Sequence, residues 1–157
     1  MYTDGSCLGN PGRGGWAWAV PGGRYESGAA ERTTNQRMEI TAALRALEAI
    51  LPHASADEVL VRSDSMYVVN CFRQRWWTGW LRRNWRNAQG KPVANRDLWE
   101  PLLALALDPA FRVRFEWVKG HSQDRWNDVV DGLANTAALT GKGASGTFAS
   151  DGPPVAG

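Results

Sequence analysis

The hydrophobic period of the chain changes at Thr34, and that change constrains the fold more than any other feature. Before it, Trp16-Ala17-Trp18-Ala19-Val20 and residues 24–29 flank the turn Pro21-Gly22-Gly23, the pattern of a β-hairpin. After it, Ile40, Leu44, Leu47 and Leu51 recur at steps of four, three and four, a helix closed by Pro52. Val59-Leu60-Val61 reads as a short buried strand running into Arg62-Ser63-Asp64, and helical spacing resumes over 67–77. A helix starting near Asn95 or Asp97 is expected to bury Leu98, Leu102 and Leu105, with Pro101 in its first turn. Residues 112–118 alternate, with Val113, Phe115 and Trp117 on one face, and a last helix is expected over 123–139. A hairpin followed by β-α-β alternation predicts an α/β fold, a mixed sheet with helices packed on it.

The 157 residues fit one domain, with a core large enough to need no disulfide. Residues 1–139 carry the periodic segments. Residues 140–157, with five glycines and two prolines, are expected to form a flexible tail. Met1-Tyr2-Thr3 reads as the end of a strand, and the glycine-rich stretch 5–15 as a loop. Only three residues precede Asp4, so the pairing of that first strand is expected to be short. Cys7 and Cys71 form no C-x-x-C pair, and no apolar run approaches the ~18 residues of a spanning helix. The expectation is a soluble cytoplasmic protein with no membrane partner.

Charge is segregated. Lysine and arginine number 18 against 16 acidic residues, yet no acidic residue lies between Ser65 and Arg96. That stretch holds Arg73, Arg75, Arg82, Arg83, Arg86, Lys91 and Arg96, interleaved with Trp76, Trp77, Trp80 and Trp85. One face is therefore expected to attract a polyanion while another gathers carboxylates.

Asp4 follows the first strand, and Asp64 follows the strand that begins at Val59. In open α/β sheets, sites form at the carboxyl ends of strands, so these two carboxylates are expected to meet. Glu39 lies one position from the apolar stripe of the first long helix. Asp128 and Asp131, three apart, share a face of the last helix. Carboxylates gathered in one cleft repel each other unless a cation sits among them, and all-oxygen ligands select Mg²⁺ or Mn²⁺ over zinc. Taken singly, an Asp at a strand end or helix start is usually an ordinary turn or capping residue, and only the combination matters.

Five segments in this order give the combination its specificity: Thr3-Asp4-Gly5-Ser6, Thr34-Asn35-Gln36-Arg37-Met38-Glu39, Asp64-Ser65 followed by Tyr67, Trp117-Val118-Lys119-Gly120-His121, and Asn127-x-x-x-Asp131-x-Leu133-Ala134. With them the chain closely resembles type 1 ribonuclease H over residues 1–139. The resemblance implies a ribonuclease H-like five-stranded mixed sheet flanked by helices. It also implies a monomeric endonuclease that hydrolyses the RNA strand of RNA–DNA hybrids, leaving 5′-phosphate and 3′-hydroxyl ends. Its catalytic, metal-holding carboxylates fall on Asp4, Glu39, Asp64 and Asp131, with two Mg²⁺ ions per site and Mn²⁺ as a substitute. Asp131 rather than Asp128 is the match, being four after Asn127 and two before Leu133-Ala134.

The same resemblance makes His121 an assistant in proton transfer or product release. Contacts to the RNA strand fall on Cys7 (through its backbone), Asn10, Asn35, Gln36 and Met66. A DNA-phosphate pocket falls on Arg32, Thr34 and Asn95, where Asn95 is also an expected N-cap. Trp76, Trp80, Trp85, Arg82, Arg83 and Arg86 resemble the family's basic protrusion, a handle on the hybrid. A catalytically inactive hybrid-binding module is the alternative, but such a module is expected to lack one of the four carboxylates.

Overall fold

The computed structural model describes residues 1–54, 58–120 and 124–148. In chain order the elements are β1 (Tyr2–Leu8), β2 (Gly12–Ala19), β3 (Arg24–Thr33), α1 (Asn35–Ile50), β4 (Val59–Ser63), α2 (Met66–Arg73), α3 (Trp76–Arg82), α4 (Arg96–Ala106), β5 (Val113–Trp117), α5 (Arg125–Thr140) and β6 (Ser145–Thr147). They build one sheet of order β5-β4-β1-β2-β3-β6. Strands β1, β2, β3 and β6 pair antiparallel, whereas β4 runs parallel to both β1 and β5.

Two apolar clusters cover the two faces. Ile40, Leu47, Val61, Val68, Trp99, Leu102 and Phe115 join α1, α2 and α4 to β4 and β5. Tyr2, Ala17, Ala19, Val130, Ala134 and Phe148 join α5 to β1 and β2. Helix starts follow from side-chain chemistry: the Thr34 hydroxyl accepts from the Arg37 amide, the Ser65 hydroxyl from Val68, and the Asp124 carboxylate from Trp126 and Asn127. Each such cap is worth about 1 kcal/mol. The Tyr67–Trp77 helical stretch is broken at Arg75, which takes a left-handed φ of 54° and divides α2 from α3.

Several expectations change. The first strand does not stop before Asp4. β1 continues to Leu8 and pairs with β2 along its whole length, and only its parallel partnership with β4 is short, at Tyr2–Arg62 and Thr3–Ser63. Most glycines of that stretch lie on strands at close approaches rather than in a loop: a Cβ on Gly15 would lie 2.1 Å from the carbonyl oxygen of Ala134, so the bare backbone lets α5 lie against β2. In α4, Pro101 is the sixth residue, not part of the first turn, and Trp99, Leu102, Leu103 and Ala106 are the buried positions. Proline there removes one helical hydrogen bond, and burial of its neighbours holds the helix regardless.

The segment after Leu139 also departs from expectation. Gly141 ends α5 at φ 71°, and Ser145–Thr147 then adds a sixth strand to the edge of β3. Phe148, 6% exposed, stacks on Tyr25 at 4.7 Å and meets Trp126 edge-on at 5.0 Å. The glycines there serve approach: a Cβ on Gly143 would lie 2.1 Å from the carbonyl oxygen of Ser27. The expected flexible tail therefore begins with a docked strap through 148, and the five-stranded expectation becomes six.

Candidate active site

Asp4 sits on β1 where its parallel pairing with β4 ends, and Asp64 immediately follows β4, so the two strands deliver both carboxylates to one point. Glu39 arrives from α1, in its second turn. The approach depends on Gly5: a Cβ there would lie 2.4 Å from the Glu39 backbone nitrogen and 2.5 Å from the carbonyl carbon of Met38. With glycine, α1 rests on the strand, and Asp4, Glu39 and Asp64 offer carboxylate oxygens all within 4.8 Å of one another. Asp131, half-buried on α5, is close enough to Asp4 for a hydrogen bond and raises the Asp64 pKa by its charge.

Burial and mutual repulsion dominate the electrostatics. Asp4, 3% exposed, is pushed up to about 11, by desolvation first and then by the charges of Glu39 and Asp64. Glu39 rises to about 8 from desolvation and the Asp64 charge, opposed by hydrogen bonds from Asp4 and the Gly5 backbone. Asp64 is raised as well, chiefly by burial, while hydrogen bonds with Asp4 and Asn127 pull the other way. The second oxygen of Glu39, Oε2, is buried with no hydrogen-bond partner. An orphaned buried carboxylate oxygen among raised carboxylates is what a divalent cation satisfies, so this donor set fits a hard metal ion.

The surroundings hold these groups in place. Asn127, fully buried at the start of α5, bonds to Asp64. Asn135, one turn after Asp131, donates to its Oδ2 at 3.4 Å and accepts from the Ser6 hydroxyl. A Cβ on Gly120 would lie 3.2 Å from Asp64 Oδ2, so the segment after β5 presses against the site. Ser6 belongs to a diagnostic segment but carries no role there, and Asn135 stands outside every segment; their signal is the two-residue step from Asp4 on a strand and the four-residue step from Asp131 on a helix. Asp128 is exposed, outside the cluster. His121 lies outside the described residues.

The expected substrate contacts fall on β1, the β1–β2 turn, the end of β3 and the starts of α1, α2 and α4. Cys7 is half-buried on β1, and Asn10 accepts from the Asn35 amide at 3.3 Å, tying the β1–β2 turn to the start of α1. Gln36 and Arg32 are exposed, and Met66, 45% exposed, begins α2. Thr34 caps α1. Asn95 is not the side-chain cap expected: its backbone has φ 63°, and its amide instead accepts from Arg37 at 3.3 Å and donates to the Tyr67 hydroxyl at 3.4 Å.

The basic segment divides into shape and charge. Trp80 and Trp85 are buried in the core with Trp99, so within the expected handle their rings pack inward. Trp76 is half-buried against Tyr67 and Trp80. Arg82, Arg83 and Arg86 are exposed, the last two bracing the turn through bonds to the carbonyls of Arg86 and Gly90.

Known proteins match this arrangement. The RNase H family model covers residues 1–139. The chain is 49% identical over 140 residues to Ribonuclease H of Acidiphilium cryptum, covering 87% of this chain and 84% of that one. It is 46% identical over 140 residues to that of Syntrophomonas wolfei, covering 87% and 93%. It is 47% identical over 141 residues to that of Thermus thermophilus, covering 88% and 82%. Among solved structures, LC9-RNase H1, a type 1 RNase H with the type 2 active-site motif, superposes with a TM-score of 0.76 at 29% identity, covering 94% of this chain and 76% of that one. The matched span contains every element that carries the acidic cluster, and the chain belongs to the ribonuclease H family, as a type 1 enzyme.

Proposed function

We propose that this ribonuclease H hydrolyses the RNA strand of RNA–DNA hybrids with two Mg²⁺ ions held by Asp4, Glu39, Asp64 and Asp131, leaving 5′-phosphate and 3′-hydroxyl ends. The observation that carries the reading is the convergence of Asp4, Glu39 and Asp64 within 4.8 Å around an orphaned Glu39 oxygen. When bound, the ions neutralise phosphate charge and activate the attacking water. The protein's own residues then do the positioning. Asp4 is fixed by its pairing with Ala17 on β2, one residue past the last β1–β4 pair, Asn127 orients Asp64, and Asn135 orients Asp131. In this reading Cys7, Asn10, Asn35 and Gln36 contact the RNA strand, where the 2′-hydroxyl would distinguish RNA from DNA. Met66 offers an apolar contact to the sugar. His121 moves a proton at the leaving oxygen or assists product release, and Mn²⁺ substitutes for Mg²⁺.

Arg32, Thr34 and Asn95 hold a phosphate of the DNA strand in this reading, and Arg82, Arg83 and Arg86 extend the contact along the duplex. All four carboxylates are present, which disfavours an inactive hybrid-binding module. A monomer in the cytoplasm is part of the same proposal. The free thiols of Cys7 and Cys71 suit a reducing compartment, and among the described residues no helix is long and apolar enough to cross a membrane.

The test is cleavage of end-labelled RNA–DNA hybrid, duplex RNA and duplex DNA with Mg²⁺, Mn²⁺ or EDTA. Mg²⁺-dependent cutting of the RNA in the hybrid alone is expected. Cutting in EDTA, or equal cutting of duplex RNA, would overturn the proposal.

A further inference from the structure

Asp97 is an acidic residue beside the pocket assigned above to a DNA phosphate. It occupies the first turn of α4, two residues after Asn95. Its side chain is 64% exposed, so its charge is available to whatever approaches Asn95. A carboxylate there repels a phosphate at close range.

Arg37 answers that charge. Its Nη2 lies 2.6 Å from Asp97 Oδ2 and its Nη1 donates to Asp97 Oδ1 at 3.0 Å, a two-pronged pair. The same Nη1 donates to Asn95 Oδ1 at 3.3 Å. The Arg37 amide donates to the Thr34 hydroxyl, so one residue touches two members of the pocket and its neighbouring acid. Asp97 is also drawn back by the amides of Asp97 and Leu98 at the start of α4, and its carboxyl lies below the usual range, chiefly through Arg37.

We infer that Arg37 is a charge shield. By pairing with Asp97 it makes the Thr34–Asn95 pocket acceptable to the phosphodiester of the DNA strand, and it is a positioning residue that does not itself grip the phosphate. The inference rests on the phosphate-pocket reading given under the proposed function. Nothing about the acidic cluster requires Arg37, since it points to α4 rather than toward Glu39.

The experiment is a double-mutant cycle on hybrid binding in EDTA, where no cleavage occurs, at fixed salt, with thermal unfolding of every variant. Arg37→Met exposes the Asp97 charge and is expected to weaken binding by about tenfold, with Asp97→Asn strengthening it about two- to threefold. The double variant is expected to bind within about twofold of wild type, because removing both charges restores neutrality. In turnover assays with Mg²⁺ the same variants are expected to move KM and leave kcat within about twofold.

If the double variant binds as weakly as Arg37→Met, Arg37 grips the nucleic acid directly and the shield is overturned. Unfolding that shifts with no change in hybrid Kd overturns it in favour of a purely structural pair. Asn95→Ala and Arg32→Ala separate the two levels. If neither weakens binding, the phosphate pocket itself fails; if both do while Arg37→Met does not, the pocket stands and the shield fails.

Discussion

The indole nitrogen of Trp117, at the end of β5, donates to the backbone carbonyl of Asp64 at 3.1 Å. A residue that alternation assigns to the face of a strand thereby holds the turn that presents a candidate metal ligand. Trp117→Phe keeps an aromatic ring and deletes the donor. The expected stability loss is about 1 kcal/mol, the usual net worth of one hydrogen bond, with a several-fold weaker response of melting temperature to Mg²⁺. Unfolding in EDTA and in a Mg²⁺ titration measures both effects.

The carboxylate cluster makes stability of the metal-free protein pH-dependent. Asp4 at about 11 and Glu39 at about 8 are both raised above their ordinary values. The folded state therefore binds more protons than the unfolded state between about pH 5 and pH 8, and stability falls as pH rises through that window. In EDTA the melting temperature is expected to decline from pH 5 to pH 8, and Mg²⁺ is expected to remove most of the decline. Asp4→Asn should melt above wild type in EDTA at pH 8 and respond less to Mg²⁺.

Asp64→Asn preserves shape but removes a charged oxygen from the cluster, so cleavage should collapse by a factor of about a thousand while hybrid binding survives, the pattern of a group acting on the reaction itself. Exposed Asp128→Asn should retain most activity. Single-turnover cleavage beside binding in EDTA distinguishes the two.

Arg82, Arg83 and Arg86 replaced together by alanine should weaken hybrid binding and flatten its salt dependence, by about 0.9 in the log–log slope for each phosphate left without its cation. Trp85→Ala should act differently. At 7% exposure Trp85 packs on Trp80, and its truncation is expected to cost about 3–5 kcal/mol in chemical denaturation.

The strap offers a last comparison. Phe148→Ala empties the site between Tyr25 and Trp126, with an expected loss of about 2–4 kcal/mol in unfolding free energy, below the value for a central core residue because β6 is an edge. Denaturant unfolding measures it.

What could be read from residues alone follows physical lines. Asp64 was legible because an apolar run of Val59-Leu60-Val61 announces a strand and its end. Glu39 was legible because helical spacing fixes its place relative to Ile40. Asp4 was recognised by motif, yet its strand was misjudged, because glycine reads as loop when its purpose is to admit a neighbour: Gly5 admits Glu39, and Gly15 admits Ala134. Residue type predicts a side-chain cap at Asn95, whereas its left-handed backbone and the Arg37 guanidinium turn its amide elsewhere. Arginines surround Trp80 and Trp85 in sequence, and only the fold separates inward rings from outward charges. Phe148 was invisible inside a glycine-rich stretch, since an isolated aromatic carries no period.

That separation within the basic segment has a consequence for how such an enzyme can change. Trp80 and Trp85 belong to the same apolar cluster as Val61 and Phe115, the residues that hold up the strands of the site. The segment is thus not an appendage that can be lifted off and replaced. Its exposed arginines are free to drift in number and position, retuning grip on a polyanion without touching the core. Its indoles are not free: losing one undermines the platform under Asp64. Grip is adjustable by point changes at the arginines here, whereas changes at the indoles carry a cost in core packing.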